Sequence, residues 1–173
     1  MIAHLTDLHI GEAGERPKGV PVRENFLGLL EEIQSIEPEL LVVTGDLSLD
    51  TGSREAYRWI RGELDRSGLA YLVMGGNHDD PVMLAEEFGD AAGAESSGEG
   101  RYHRHLELGG EELLLLDIPG GTTTPGDVAW LVEALDKSER DEVLLFMHYP
   151  PIPLPVACME RHYTLRARAH LEA

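Results

Sequence analysis

Apolar and polar positions along the chain fall into blocks that change period from element to element. Ile2 to Thr6 is a short apolar run and predicts a strand ending in Asp7-Leu8-His9. Gly11 to Pro21 is rich in Gly, Pro and charge and predicts a loop. Val22, Phe26, Leu29, Leu30, Ile33 and Ile36 recur at helical spacing, and Pro38 follows the end of that amphipathic helix. Leu40-Leu41-Val42-Val43 is continuously apolar, as expected of a parallel strand covered on both faces, and runs into Thr44-Gly45-Asp46. Ser53 is a capping residue for a helix with Ala56, Ile60 and Leu64 on its inner face and Gly68 as its stop. Leu69 to Met74 predicts a third buried strand, followed by Gly75-Gly76-Asn77-His78-Asp79.

This β-α-β-α-β order implies a parallel sheet with helical crossovers. Asp80-Pro81 then starts a short helix reaching Phe88, and Gly89 to Gly100 predicts an exposed loop. Arg101 to Leu108 and Glu112 to Asp117 flank Gly109-Gly110, a hairpin signature. Gly120 to Gly126 predicts a Gly/Thr loop near the site, and Val128, Leu131, Val132 and Leu135 mark a further helix. Val143 to Met147 predicts a last strand, ending in His148-Tyr149-Pro150-Pro151. The tail from Pro155 to Ala173 reads as partly helical, without a stop signal.

Length and charge narrow the function classes. The 173 residues suggest one domain over 1–173 with a sizeable core. No apolar run approaches a membrane span, and Met1 leads directly into a strand rather than a leader, so a cytoplasmic location without membrane contact is expected. A net charge of −18 disfavours nucleic acid as a partner. The single Cys158 excludes an intrachain disulfide and a thiolate-rich zinc site.

Four predicted strands end in polar groups: Asp7 and His9, then Asp46, then Asn77, His78 and Asp79, then His148. In a parallel sheet such ends converge on one crevice. Each element alone has an ordinary explanation, since Gly-Asp after a strand makes an Asx turn and His148 can be a loop histidine. Together they form a set of carboxylates, imidazoles and one amide without thiolate, which suits Mn²⁺, Fe or Zn²⁺. Asp46 could bridge two ions with its two oxygens. Two ions so placed activate a shared hydroxide and clamp the oxygens of an in-line displacement at phosphorus.

Asp7-Leu8-His9, Gly45-Asp46, Gly76-Asn77-His78-Asp79 and His148-Tyr149-Pro150-Pro151 resemble the calcineurin-like metallophosphoesterase family. Within it the pattern is similar to the class III cyclic-nucleotide phosphodiesterase and glycerophosphodiesterase branch. The stretch from Leu113 to Leu135, with Asp117, a Gly-rich loop and Trp130-Leu131, resembles the same branch. The resemblance implies a four-layer α/β/β/α sandwich and two divalent metal ions. It implies that Asp7 and His9 bind the first metal, that Asp46 bridges both, and that Asn77 and His148 bind the second. His78 would be the catalytic group beside the leaving oxygen, with Asp79 orienting it.

One motif departs from the family. The C-terminal Gly-His-x-His is missing; His162 and His170 are the only histidines after His148, and neither has that context. His103-Arg104-His105 has ligand-like spacing but lies on a hairpin strand. The expected domain is therefore C-terminally shortened, with three explanations: a fragment, ligands supplied by a neighbouring chain, or a short form with weaker metal sites; truncation is favoured.

The function expected from the resemblance is a dimetal phosphohydrolase acting on phosphodiesters, with a small phosphoester as substrate and homo-oligomerisation left open. The alternatives are a phosphomonoesterase of the same family and a catalytically weak metal-binding or scaffold relative lacking two ligands. Arg16, Lys18 and Arg23 could meet a substrate phosphate, although a solvated loop is the favoured account of them.

Overall fold

The computed structural model describes residues 1–92, 95–98 and 101–152. Strands β1 (Ile2–Leu5), β2 (Leu40–Thr44) and β3 (Tyr71–Met74) form a parallel sheet in that order. Helices α1 (Val22–Ser35) and α2 (Arg54–Ser67) are its crossovers. A second sheet takes the order β4 (Glu95–Gly98), β5 (Arg101–Leu108), β6 (Glu111–Leu115) and β7 (Leu144–Phe146). The β4–β5 and β5–β6 pairs are antiparallel, whereas β6 and β7 are parallel, with α4 (Pro125–Lys137) between them in the chain.

The continuous apolar run of β2 has a direct structural cause: all five of its residues are buried, and alternate residues serve different layers. Leu41 and Val43 join Phe26, Leu30 and Ile33 of α1, Tyr57, Ile60 and Leu64 of α2, and Leu84 and Phe88 of α3 (Pro81–Phe88). Leu40 and Val42 face the other way, toward Leu72, Met74, Leu113 and Leu115 between the two sheets. A third cluster, Leu116, Ile118 and Tyr149 with Trp130 and Leu131, packs α4 on the far side of the second sheet. The result is the expected four-layer α/β/β/α sandwich.

The predicted stops and starts are in place. The Ser53 side chain accepts from Ala56 N at 3.3 Å, and Gly68 closes α2 in the left-handed conformation. The Asp80 side chain accepts from Met83 N at 2.8 Å and Pro81 begins α3. Two expectations need correction. The segment from Gly89 to Gly100 is not all loop: a 3-10 turn spans Gly89–Ala92, and Glu95–Gly98 pairs with β5 as β4. Its Ser and Gly composition lacks the apolar alternation by which a strand is recognised. Helix α4 forms as predicted, but Val132 and Leu135 are exposed and its deepest side chain is Asp127. Strand β7 is the edge of its sheet among the described residues, with Leu144 and Leu145 exposed. The predicted helical tail, with Cys158, His162 and His170, lies outside the described residues.

Candidate metal centre

The ends of β1, β2 and β3, with the segment after β7, meet at one place. After β1 and β2 the chain continues as two zipped segments: Asp7 N donates to Gly45 O, His9 N to Asp46 O and Ile10 N to Leu47 O, at 2.9–3.1 Å. Asp7, His9 and Asp46 all have positive φ (57°, 45° and 52°). Non-glycine residues take this conformation rarely and at a cost, and such strain gathers at functional sites. Here it turns three polar side chains toward one another instead of alternating them across a strand.

Asp46 is at the centre and is 3 % exposed. Its Oδ2 lies 3.7 Å from His9 Nε2 and 4.0 Å from His78 Nε2, and its Oδ1 lies 3.4 Å from His148 Nε2. His9 Nε2 is 3.7 Å from Asp7 Oδ1, and His148 Nε2 is 3.3 Å from Asn77 Oδ1. The two carboxylate oxygens of Asp46 thus face two donor groups: Asp7, His9 and His78 on one side, Asn77 and His148 on the other.

The histidines are held by their other ring nitrogens. His148 Nδ1 is 2.9 Å from Thr44 O and His78 Nδ1 is 2.7 Å from Leu49 O. Each Nδ1–H donates to a carbonyl, leaving Nε2 directed at Asp46, the arrangement that prepares imidazole for a metal. The His9 and His78 rings stand edge to face with centroids 4.9 Å apart. The donor set fits divalent cations on its own geometry: ligand atoms of His9, Asp46 and His78 all lie within 4.8 Å of one another.

Gly76 and Gly45 make room for this. A Cβ on Gly76 would lie 2.3 Å from Asp46 Oδ1 and 2.5 Å from Asp46 N, and one on Gly45 would lie 2.4 Å from His148 Nδ1. The two glycines allow the loop after β3 to close directly over Asp46.

The hydrogen bonds described for the Asp79 carboxylate go to groups other than the His78 ring. The carboxylate accepts from Leu47 N (3.1 Å), Gly76 N (3.0 Å), Ser48 N (3.0 Å) and Tyr57 Oη (2.9 Å). It is a buckle between the loops after β2 and β3, while the His78 ring bonds the Leu49 carbonyl. Tyr57 is a residue that sequence reasoning missed; a tyrosine on the inner face of α2 gives no signal beyond core. Its hydroxyl also accepts from Asp80 N at 3.0 Å, and burial beside Asp79 raises its pKa above the usual phenol value.

His103 and His105 stand apart from the centre. His103, fully buried, bonds Asp127 Oδ1 at 3.1 Å, and His105 bonds Glu112 Oε1 at 2.7 Å. Arg23 is a staple rather than a phosphate ligand: it donates to Gly11 O and to Glu55, and lies 4.6 Å over the Trp59 ring. Arg16 pairs with Glu24. Gly121 packs against the Tyr149 ring, so the Gly/Thr loop does reach the residue next to His148.

Comparison with known proteins identifies the family. Residues 1–171 match the family model described as calcineurin-like phosphoesterase. The chain belongs to the calcineurin-like phosphoesterase family. It is 31 % identical over 172 residues to a probable cyclic nucleotide phosphodiesterase of Fibrobacter succinogenes, covering 99 % of this chain and 65 % of that protein. It is 26 % identical over 179 residues to the glycerophosphodiester phosphodiesterase GpdQ of Enterobacter lignolyticus, covering 95 % of this chain and 64 % of the relative. The chain thus spans somewhat under two thirds of the length of these family members. A dimetal phosphatase from Danio rerio has the same fold, with a TM-score of 0.75 at 13 % identity, over 99 % of this chain and 75 % of that one.

Proposed function

We propose that the chain is the dimetal-binding part of a phosphodiesterase that hydrolyses small phosphodiesters. The observation that carries this is the carboxylate of Asp46, buried at the strand ends with one oxygen toward each of two donor groups. Asp7, His9 and Asp46 Oδ2 would hold one divalent cation, and Asp46 Oδ1, Asn77 and His148 the other. Two such cations polarise the phosphoryl oxygens and make water nucleophilic at neutral pH.

The residues themselves account for the rest. Carbonyl partners at Nδ1 keep the His148 Nε2 lone pair toward Asn77 and Asp46, so the ring needs no reorientation. Leu49 O likewise holds the Nδ1 proton of His78, so the second proton of the imidazolium form is carried at Nε2. That atom is at the half-exposed mouth of the site, where it can protonate a departing alkoxide. The strongly acidic surface favours a small substrate over a nucleic acid. Phosphodiesters are preferred to monoesters because the matched relatives carry cyclic nucleotide and glycerophosphodiester phosphodiesterase names.

The test is hydrolysis of bis-p-nitrophenyl phosphate and p-nitrophenyl phosphate with Mn²⁺ and with EDTA. Mn²⁺-dependent diester cleavage, removed by EDTA, is expected. Preference for the monoester would overturn the diesterase reading, and bound Mn²⁺ without turnover of either ester would overturn the hydrolase reading.

A further inference from the structure

Asp117, which follows β6, belongs to none of the donor groups, yet it lies beneath the loop that carries Asn77 and His78. It is 4 % exposed. Its Oδ2 accepts from Tyr102 N at 3.1 Å, and its own N–H donates to His103 Nδ1 at 3.2 Å. Its Oδ1 is buried and makes no hydrogen bond of full geometry, although the Gly75 N–H is near enough to act on the carboxylate. A buried carboxylate oxygen left in this state is costly, so its surroundings need a reason to keep it there.

Those surroundings are the root of the site loop. A Cβ on Gly75 would lie 3.8 Å from Asp117 Oδ1 and 3.7 Å from Asp79 Cβ. A side chain at this position would therefore touch two carboxyl-bearing residues, Asp79 after β3 and Asp117 after β6. Asp79 holds the loop from within, through Gly76 N. Asp117 meets it from the second sheet. We propose that Asp117 is a positioning residue: its buried carboxyl supports the Gly75–Asp79 loop from below and sets where Asn77 and His78 stand relative to Asp46. This deepens the proposed function and rests on it for the meaning of the site, though not for the geometry.

The charged and titratable groups facing Asp117 are Arg101, Tyr102 and His103 of β5 and Asp79 of the loop after β3. Asp127 of α4 is reached through Arg101 and His103. Burial raises the Asp117 pKa to about 7, opposed by the Tyr102 and Gly75 backbone N–H groups and by Arg101. The charge that faces the Gly75 N–H therefore depends on pH.

The test compares wild type, Asp117→Asn and Asp117→Ala by amide hydrogen exchange of Gly76, Asn77 and His78 and by Mn²⁺ affinity. It also follows the pH dependence of the Tyr102 and Gly76 amide shifts. Asp117→Ala is expected to accelerate loop exchange and to weaken Mn²⁺ binding by about 10- to 100-fold. Asp117→Asn, which keeps the shape, is expected to rescue both. In wild type, Tyr102 and Gly76 should share a midpoint near 7, and the Asn variant should remove it from both. Loop exchange and Mn²⁺ affinity within twofold of wild type in Asp117→Ala would overturn the proposal. Should that variant fail to fold, a Gly76 titration unchanged in Asp117→Asn would overturn it as well. If wild type neither binds Mn²⁺ nor cleaves a phosphodiester, the proposed function fails, while loop exchange still decides the role of Asp117.

Discussion

His148 Nε2 lies 3.3 Å from Asn77 Oδ1, although the two residues are separated by 71 positions and follow strands of different sheets. With its Nδ1–H donated to Thr44 O, a neutral His148 presents a lone pair to the amide oxygen. Neither atom can then donate to the other, and Asp46 Oδ1, 3.4 Å from the same nitrogen, adds a third acceptor. Three lone-pair atoms turned toward one point favour a cation between them. His148→Ala is expected to lower Mn²⁺ affinity by about 10- to 100-fold, with the fold intact by circular dichroism.

Gly76→Ala tests the close approach over Asp46. The added methyl would meet both the backbone and the carboxylate of Asp46. A backbone collision relaxes poorly, so the expected cost is about 1–3 kcal/mol in urea unfolding, together with loss of Mn²⁺ binding. Undiminished Mn²⁺ affinity would show that the loop does not rest on Asp46.

The Asp79 buckle separates stability from chemistry. Tyr57→Phe removes one donor to Asp79 and the acceptor of Asp80 N, and is expected to cost about 1–2 kcal/mol. Asp79→Ala leaves the Leu47, Ser48 and Gly76 N–H groups without their acceptor, so a larger loss is expected, about 3 kcal/mol or more. Urea unfolding of the two variants checks the order.

Much of this was legible in sequence because helix caps, apolar runs and turn residues act locally. Ser53, Gly68 and Asp80-Pro81 mark element ends regardless of distant packing. The residues of the candidate site were legible for the same reason: each follows a strand. Partners set by tertiary packing were not. The pairing of Asp79 with Tyr57 joins a loop to a helix 22 residues earlier, and nothing local distinguishes it from an orienting contact to His78. The pair formed by Arg101 and Asp127, buried between β5 and α4, is equally invisible: an aspartate at the start of a helix reads as a capping residue. It is one as well, since Thr124 and Asp127 form a capping box.

Asp117 gives a pH dependence of stability with a definite sign. Its folded-state pKa of about 7 lies above the ordinary carboxylate value, so the native state holds its proton more tightly than the unfolded chain. The favourable contribution of the protonated carboxyl is present at low pH and is lost as pH rises toward 7. Wild-type stability relative to Asp117→Asn should fall across that window by on the order of 1.4 kcal/mol per pH unit at its steepest. Paired urea unfolding curves at pH 5 and pH 8 measure it; no difference between the two pH values would contradict the assignment.

The central claim is that one carboxylate, that of Asp46, is shared by two cation positions. Mn²⁺ titration followed by electron paramagnetic resonance tests it most directly. Two ions per chain with exchange coupling between them, and loss of that coupling in Asp46→Ala, are the predicted results. Two uncoupled ions, or coupling that survives the substitution, would contradict it.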